Sequence, residues 1–152
     1  MTVDYFLSAV EDLTLRDALA PYYSAHPNFT PWYDCKSNIL KKTLCSHDIS
    51  HTIYACPTTL LGELRVQFWN TFGSFVPKKT SDIIAALSDK ETRALLAQPG
   101  TLRFFFKNWR EALKVRRQTK LMLMKWRFFE EERYLNQTVG SIRKKFNIQI
   151  LT

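Results

Sequence analysis

The sequence predicts an all-α protein: a single-domain orthogonal array of about six helices over residues 1–152, with a metal site on a helix–turn–helix. Glycine and proline are scarce, at 4 and 6 of 152 residues, which favours helices over a turn-rich β fold. Hydrophobic residues make up 45% and charged residues 24%, a composition typical of globular proteins, and the length suits one core. Apolar residues also recur at helical spacing between the proline breaks.

Residues 1–35 are predicted to form an N-terminal helix followed by a loop rich in proline and aromatic residues. The helix is expected over residues 3–20, where apolar side chains form an imperfect stripe. Pro21, Pro27 and Pro31 then predict a loop over residues 20–34. We expect the aromatic residues of this loop to fold back over the core.

Residues 36–76 are predicted to form a helix pair that carries the metal site. A first helix is expected over residues 36–55 and a second over residues 58–75. Pro57 separates them, because proline cannot continue the hydrogen-bond ladder of a helix. Thr58 or Thr59 can cap the second helix.

Residues 77–152 are predicted to form basic C-terminal helices. Short helices are expected over residues 83–87 and 89–97, where Pro99-Gly100 ends the second. No proline or glycine interrupts residues 101–135, which predicts one long helix or two joined by a bend. Gly140 is expected to end a short link before a last helix over residues 141–146.

The charge is uneven along the chain and suggests an anionic partner. Residues 1–76 carry a net charge of −2, whereas residues 77–152 carry +10. The N-terminus lacks the early basic residues of a secretory or transit signal, and no apolar run approaches ~18 residues, so we expect no membrane span. Three cysteines without a Cys-x-x-Cys pair suggest reduced thiols.

The candidate metal ligands lie on both sides of Pro57. His47 and His51 are four residues apart, so they share one face of a helix, and Asp48 fits the same arc. A chain that turns at Pro57 can bring Glu63 back towards the histidine pair. Two imidazoles with one or two carboxylates suit zinc or another divalent first-row metal, although many such histidine pairs are ordinary surface or core residues.

These residues also carry a family resemblance. The pattern His47-Asp48-x-x-His51, eleven residues and then Glu63 resembles the signature of the fourth coenzyme Q (ubiquinone) biosynthesis protein family. The run from Pro57 to Glu63 is similar to the Pro-Thr-x-x-Leu-Gly-Glu run of that family. The closing pattern of the family is matched near the C-terminus by Leu135, Ile142-Arg143 and Phe146-Asn147-Ile148.

The resemblance implies a mostly helical, metal-dependent enzyme of polyprenyl-quinone biosynthesis. It implies a metal ion, with zinc the first choice, held by His47, Asp48, His51 and Glu63, and an apolar groove for an isoprenoid tail. The implied reaction is oxidative removal of the carboxyl group at the first ring carbon of the head-group precursor, with Asp48 and Glu63 as catalytic residues. The implied location is peripheral at the inner membrane, facing a bacterial cytoplasm or a matrix-type compartment. The expected partners are other quinone-biosynthesis proteins and a second copy of the chain in a homo-oligomer.

Two other functions are open at this point. In a non-catalytic lipid-binding or scaffold protein, the same residues would form a structural metal site that ties two helices together. The dipeptide His47-Asp48 also occurs in His-Asp metal phosphohydrolases, for which His26 and either Asp82 or Asp89 would complete the ligand set. That alternative leaves His51 and Glu63 unused.

The basic, aromatic residues 101–135 admit three interpretations. The first is an aromatic stripe that faces the core, with a solvated basic face. The second is a helix on an anionic membrane surface, with its basic side chains at headgroup level. The third, nucleic-acid binding, lacks a recognition motif, so we expect no nucleic-acid partner.

Overall fold

The structure is a computed structural model that describes residues 10–27, 31, 39–75 and 101–151. The described chain is mostly helical, which confirms the predicted all-α class. The α-helices are α1 (Leu15–Ala25), α2 (Ile39–Ile53), α3 (Leu60–Gly73), α4 (Thr101–Lys107), α5 (Trp109–Thr119) and α6 (Val139–Phe146). The short parallel strands β1 (Ser74–Phe75) and β2 (Trp126–Arg127) pair with each other, and a 3₁₀-helix spans Glu131–Tyr134.

Of the helix predicted over residues 3–20, residues 3–9 lie outside the described residues, residues 10–14 are not helical, and α1 extends five residues beyond the predicted end. The Thr14 side chain caps it by accepting a hydrogen bond from the Asp17 N–H at 3.1 Å. Pro21 lies inside the helix, so the expected loop over residues 20–34 is wrong for residues 20–25. The buried rings of Tyr22 and Tyr23 anchor this part of α1 in the core, which offsets the hydrogen bond that proline removes.

The helix pair of residues 36–76 is confirmed within the described residues. Helix α2 ends at Ile53 and α3 begins at Leu60, close to the predicted bounds. The core between them contains Trp69 of α3, which stacks on Tyr54 with ring centroids 4.6 Å apart. This stack fixes the end of α2 against the middle of α3.

The C-terminal half departs from a single long helix. The chain bends at Asn108, between α4 and α5, which agrees with one of the two predicted alternatives. However, α5 ends at Thr119 and does not extend to residue 135. Beyond α5 the backbone bonds to distant partners: the Leu123 N–H donates to the Phe146 carbonyl at 3.0 Å, and β2 pairs with β1. These tertiary hydrogen bonds replace those of a continued helix.

The start of helix α6 lies next to the start of helix α1. Thr138 caps it, so Gly140 lies within the helix and not in a link before it. Thr14 and Thr138 form an antiparallel bridge, with the Leu15 N–H donating to the Gln137 carbonyl at 2.9 Å. The helices expected over residues 83–87 and 89–97 lie outside the described residues. No helix in the described part of the chain has the length and apolarity needed to cross a membrane.

Candidate metal centre

The candidate site lies where α2 reverses into α3, and we call residues 47–63 the metal turn. Helix α2 ends with Ala55 in the left-handed conformation, at φ 53°, and the Cys56 N–H reaches back to the His51 carbonyl at 3.0 Å. This is the Schellman pattern that reverses a chain at a helix C-terminus. It sends the chain back along α2, towards the two histidines.

The start of α3 approaches the turn closely. Thr59 caps α3 by accepting a hydrogen bond from the Gly62 N–H at 3.2 Å, so of the two predicted caps Thr59 is used. A Cβ on Gly62 would lie 1.8 Å from the Pro57 carbonyl oxygen, a distance that no side chain tolerates. Glycine at this position therefore lets α3 pack against the turn and carries Glu63 to the histidines.

Three ligand atoms converge at the metal turn. The Nε2 atoms of His47 and His51 are 3.2 Å apart. Glu63 places Oε2 at 2.9 Å from the His47 Nε2 and Oε1 at 3.2 Å from the His51 Nε2. Metal–nitrogen and metal–oxygen bonds of about 2.0–2.1 Å imply ligand-to-ligand distances of roughly 3.3 Å around a tetrahedral zinc ion. The group His47, His51 and Glu63 can therefore hold a metal ion with little rearrangement.

The histidines are held in a form suited to metal binding. The Nδ1 of His51 lies 2.8 Å from the Cys56 carbonyl oxygen, which can only accept, so Nδ1 carries a proton and Nε2 is the nitrogen that faces Glu63. Nε2 donates to Glu63 while it is protonated, and it offers its lone pair to a metal ion once that proton is released. A hydrogen bond on the far ring nitrogen, here Nδ1, is typical of metal-bound histidine. His51 is fully buried, whereas the Glu63 side chain is 41% exposed, so the group opens to solvent on the Glu63 side.

The carboxylate of Glu63 is ionised beside the histidines. Partial burial favours the neutral form, but the hydrogen bonds to His47 and His51 outweigh it and lower the pKa of Glu63 to about 2. An ionised carboxylate is the form that binds a divalent cation, so the group carries the charge that such an ion requires.

Asp48 is not part of the converging group, although the sequence offers it as a ligand. Its carboxylate is buried and accepts a hydrogen bond from the Tyr22 hydroxyl at 3.1 Å. Burial raises the pKa of Asp48 to about 6, against the lowering effect of His47 and of the Tyr22 hydrogen bond. Because Asp48 follows His47 by one position, its side chain points around α2 towards α1, where the long-range contact with Tyr22 holds it.

His26 does not take part in the group either. Its Nδ1 donates to the Tyr22 carbonyl at 2.8 Å, and its Nε2 lies 3.1 Å from the Thr58 hydroxyl, which can donate to it. Within the described residues, the ligand set of the phosphohydrolase alternative is therefore not assembled. Asp82 and Asp89, its other candidates, lie outside the described residues.

Arg143 supports the site although it lies about 90 residues after it in the sequence. It is buried, and its Nε and Nη2 donate to the carbonyls of Ile53 and Thr52 at 3.0 and 2.9 Å. These carbonyls belong to the last turn of α2, directly after His51, where a helix leaves acceptors without intrahelical partners. The only sequence signal for Arg143 was its place in the closing pattern of the family resemblance.

Tyr22 is the other supporting residue that sequence reasoning missed. Its ring lies against His51, with centroids 5.9 Å apart, while its hydroxyl holds Asp48. The predicted loop over residues 20–34 concealed this role, because a residue in a loop carries no helical register to align with α2.

Comparison of the chain with family models, with curated proteins and with solved structures yields no match.

Proposed function

We propose that this protein binds one divalent metal ion, zinc in the first place, through His47, His51 and Glu63, and acts in polyprenyl-quinone biosynthesis. The observation that carries the proposal is the convergence of two imidazole nitrogens and one carboxylate to within 3.2 Å of one another. The proposed reaction is the oxidative removal of the carboxyl group at the first ring carbon of the quinone head-group precursor. The carboxyl group leaves as carbon dioxide, and a two-electron oxidant such as dioxygen is consumed as co-substrate, because zinc has no redox chemistry. The resemblance of the motif to the coenzyme Q family supplies the reaction, and the geometry supports the metal.

Three protein ligands are typical of a catalytic zinc site, because they leave a coordination position for water or substrate. When bound, a divalent ion supplies Lewis acidity towards the carboxylate and phenolate oxygens of an aromatic acid. The exposed Glu63 side of the group supports access from solvent. Asp48, held by Tyr22 and buried, fits a positioning role better than that of a ligand, since Tyr22 lies against His51.

The proposal includes a polyprenylated precursor as substrate and other quinone-biosynthesis proteins as partners, in a bacterial cytoplasm or a matrix-type compartment. The competing proposal is a structural clasp, in which the ion ties α2 to α3 without catalysis. It has a specific observation in its favour, because His47 and His51 lie on α2 and Glu63 lies on α3.

Metal analysis of the purified protein tests the metal directly. Wild type should hold a near-stoichiometric divalent ion, and His51→Ala should lose most of it, because two remaining ligands seldom retain zinc. His26→Ala is the matched control, since His26 is a histidine near the site but outside the group, and it should keep its metal. Equal metal content in wild type and His51→Ala would contradict the proposal. Lipids extracted from the same preparation should include a quinone precursor.

Glu63→Gln separates catalysis from the clasp, because it keeps the shape of the side chain and removes its charge. Helix α3 buries Leu64, Val66 and Trp69 independently of any ion, at about 1.5–3 kcal/mol for each fully buried side chain. We therefore expect a melting temperature near that of wild type and no restoration of quinone synthesis in a strain that lacks the protein. Full restoration would exclude catalysis by the Glu63 carboxylate, whereas a large fall in melting temperature would favour the clasp.

A further inference from the structure

One stretch of the surface combines positive charge with exposed apolar side chains, and we call residues 101–127 the basic segment. It contains nine lysines and arginines and one acidic residue, so its net charge of +8 equals that of the whole chain. The acidic residue, Glu111, is turned inward and pairs with Arg65 of α3 at 2.8 Å. Glu111 also pairs with Lys114 at 2.6 Å, and the other eight basic residues have no acidic partner within the segment.

Helix α5 has one face on the protein and one face free. Val115 is buried on the side that packs against α3, where the Arg65–Glu111 pair also lies. The opposite side carries Trp109, which is 54% exposed, and Leu113. At ~100° per residue, Trp109 and Leu113 lie ~40° apart, with Arg116 ~20° beyond Trp109 and Arg117 ~40° beyond Leu113.

Exposed apolar side chains also occur before and after α5 in the chain. Phe106, at the end of α4, is 76% exposed. After α5 the chain makes a turn that exposes Leu121, Leu123 and Met124, between the exposed basic residues Lys120 and Lys125. Exposed apolar side chains and exposed arginines and lysines thus alternate along the basic segment, and on α5 they form an apolar stripe with arginine on both sides.

Hydrogen bonds with the C-terminal end of α6 hold the turn that follows α5 in its exposed conformation. The Asn147 side-chain amide donates to the Leu121 carbonyl at 2.7 Å, and the Leu123 N–H donates to the Phe146 carbonyl at 3.0 Å. Asn147 itself adopts φ 53°, which asparagine tolerates better than most residues. Because the leucine and methionine side chains are presented by a fixed backbone, little ordering accompanies their insertion into a partner.

We propose that the basic segment docks on an anionic membrane surface, with Trp109, Leu113, Leu123 and Met124 entering the headgroup–acyl boundary. Arginine and lysine on both sides of an apolar stripe is the pattern of a helix that lies in the plane of an interface. Each basic residue near an anionic leaflet contributes about 1 kcal/mol, and the apolar side chains add burial that a purely electrostatic contact lacks.

Two other occupants fit the same face less well. Docking of a second copy of the chain would bring together two faces that each carry a net charge of +8, and these faces would repel each other. A nucleic acid would satisfy the charge, but its phosphate backbone offers nothing to Leu113, Leu123 or Met124, whose side chains cannot stack on bases as aromatic rings do. The inference does not rest on the metal turn, so its failure and that of the proposed function are separate results.

Co-sedimentation with vesicles tests the proposal. The full chain should bind vesicles of phosphatidylcholine mixed with phosphatidylglycerol and leave vesicles of phosphatidylcholine alone in the supernatant. Binding should weaken as salt rises, because exposed charges are screened over about 10 Å at 0.1 M ionic strength. Absence of binding to the anionic vesicles, or binding that salt does not weaken, would overturn the proposal.

Paired variants assign the contact to this face. Arg110→Gln/Arg117→Gln should weaken binding about 30-fold, the effect of two charges at the headgroup level. Leu123→Ser/Met124→Ser should weaken it about tenfold or more, as expected when two partly buried apolar side chains are lost. The controls are Arg16→Gln/Lys144→Gln and Leu60→Ser, which remove exposed charges and an exposed leucine outside the basic segment. Equal loss in the control and test variants would contradict the assignment.

Tryptophan fluorescence gives a second readout. Among the described residues Trp69 and Trp126 are fully buried and Trp109 is exposed, whereas Trp32 lies outside the described residues. We expect a blue shift on vesicle addition, and Trp109→Phe assigns it. Trp109→Phe should still bind and should lose this shift. An unchanged shift in Trp109→Phe would contradict insertion at this position.

Circular dichroism and metal content should stay at wild-type values in every variant, which separates docking from folding and from the metal. Duplex binding weakened by the same variants, without vesicle binding, would replace the membrane by a nucleic acid. A dimer in solution that Trp109→Phe dissociates would assign the face to a second copy.

Discussion

The metal turn and the basic segment place their polar residues in opposite ways. In the metal turn, His51 is fully buried and its ring is fixed by the Cys56 carbonyl, so polar atoms converge inward on one point. In the basic segment, charged and apolar side chains alike face solvent, and the one acid is turned inward. The first arrangement suits a small ion, whereas the second suits an extended surface.

Helix α6 supports both regions, which makes the comparison testable. Its buried face presents Arg143 to the last carbonyls of α2, beside the metal turn. Its C-terminal end presents the Phe146 carbonyl and the Asn147 amide to the turn after α5, in the basic segment. Substitutions can therefore disturb one region while the other serves as an internal control.

The largest effect is expected from Gly62→Ala. The alanine Cβ would lie 1.8 Å from the Pro57 carbonyl oxygen. Because neither atom can move independently of its backbone, α3 must shift away from the turn. Glu63 shifts with α3, and we expect metal binding to be lost and the free energy of unfolding to fall by about 3 kcal/mol or more.

Metal analysis and chemical denaturation measure both effects of Gly62→Ala. Leu61→Ala, at the neighbouring and partly exposed position, should keep its metal. Where the Gly62→Ala chain remains folded, its binding to anionic vesicles should equal that of wild type. Wild-type metal content in Gly62→Ala would show that the close approach to Pro57 does not position Glu63.

Arg143→Met should have the next largest effect. The substitution keeps apolar bulk but leaves the Thr52 and Ile53 carbonyls without their buried donor, which we expect to lower the free energy of unfolding by about 3 kcal/mol. Metal affinity should fall as well, because these carbonyls end the helical turn that carries His51. Urea denaturation and metal titration measure the two effects.

The matched control for Arg143→Met is Lys144→Met, at the adjacent exposed position. It removes one positive charge without touching α2 and should change neither quantity. A loss of stability in Arg143→Met at unchanged metal affinity would limit Arg143 to a role in the fold.

Glu131→Gln should have a smaller effect, of the opposite sign. Glu131 is buried, and burial raises its pKa to about 7, against the lowering effect of the Ser46 hydroxyl on α2. Below the ordinary pKa of 4.5 the carboxyl is protonated in both the folded and the unfolded chain. Between pH 4.5 and pH 7 the unfolded chain releases this proton first, so the free energy of unfolding falls as pH rises.

Glu131→Gln should remove this decline and stabilise the protein above pH 7, by at most on the order of 3 kcal/mol. Melting temperatures of both proteins from pH 4 to pH 8 measure the effect, which should be small at the acidic end. Glu132→Gln, at an exposed position, should follow the wild-type profile. Parallel profiles for wild type and Glu131→Gln would contradict a raised pKa.

The sequence predicted the parts of the site that depend on local spacing. His47, His51 and the reversal at Pro57 are encoded within one helix and its end, and Glu63 follows from that reversal. The place of Asp48 was not predictable in the same way. Its carboxylate is held by Tyr22, 26 residues earlier, on a helix that the sequence assigned to a loop from residue 20 onwards.

The fold was predicted where apolar periodicity decides it and missed where distant hydrogen bonds decide it. Helices α2 and α3 follow their apolar residues and the proline between them. The end of α5 at Thr119 has no proline or glycine to mark it, because the chain leaves the helix to bond with Phe146 and Asn147. Pro21 was expected to end a helix but lies within α1, because burial of the neighbouring Tyr22 and Tyr23 outweighs the local preference of proline.

The clamp of Arg143 on α2 has a consequence for how the protein is made. The two carbonyls it holds lie 90 and 91 residues earlier in the chain, so during translation the histidine helix emerges long before its clamp. Contacts of such separation carry a large loop-closure entropy and form late in folding. A nascent chain therefore has the last turn of α2 without its clamp until Arg143 has been synthesised.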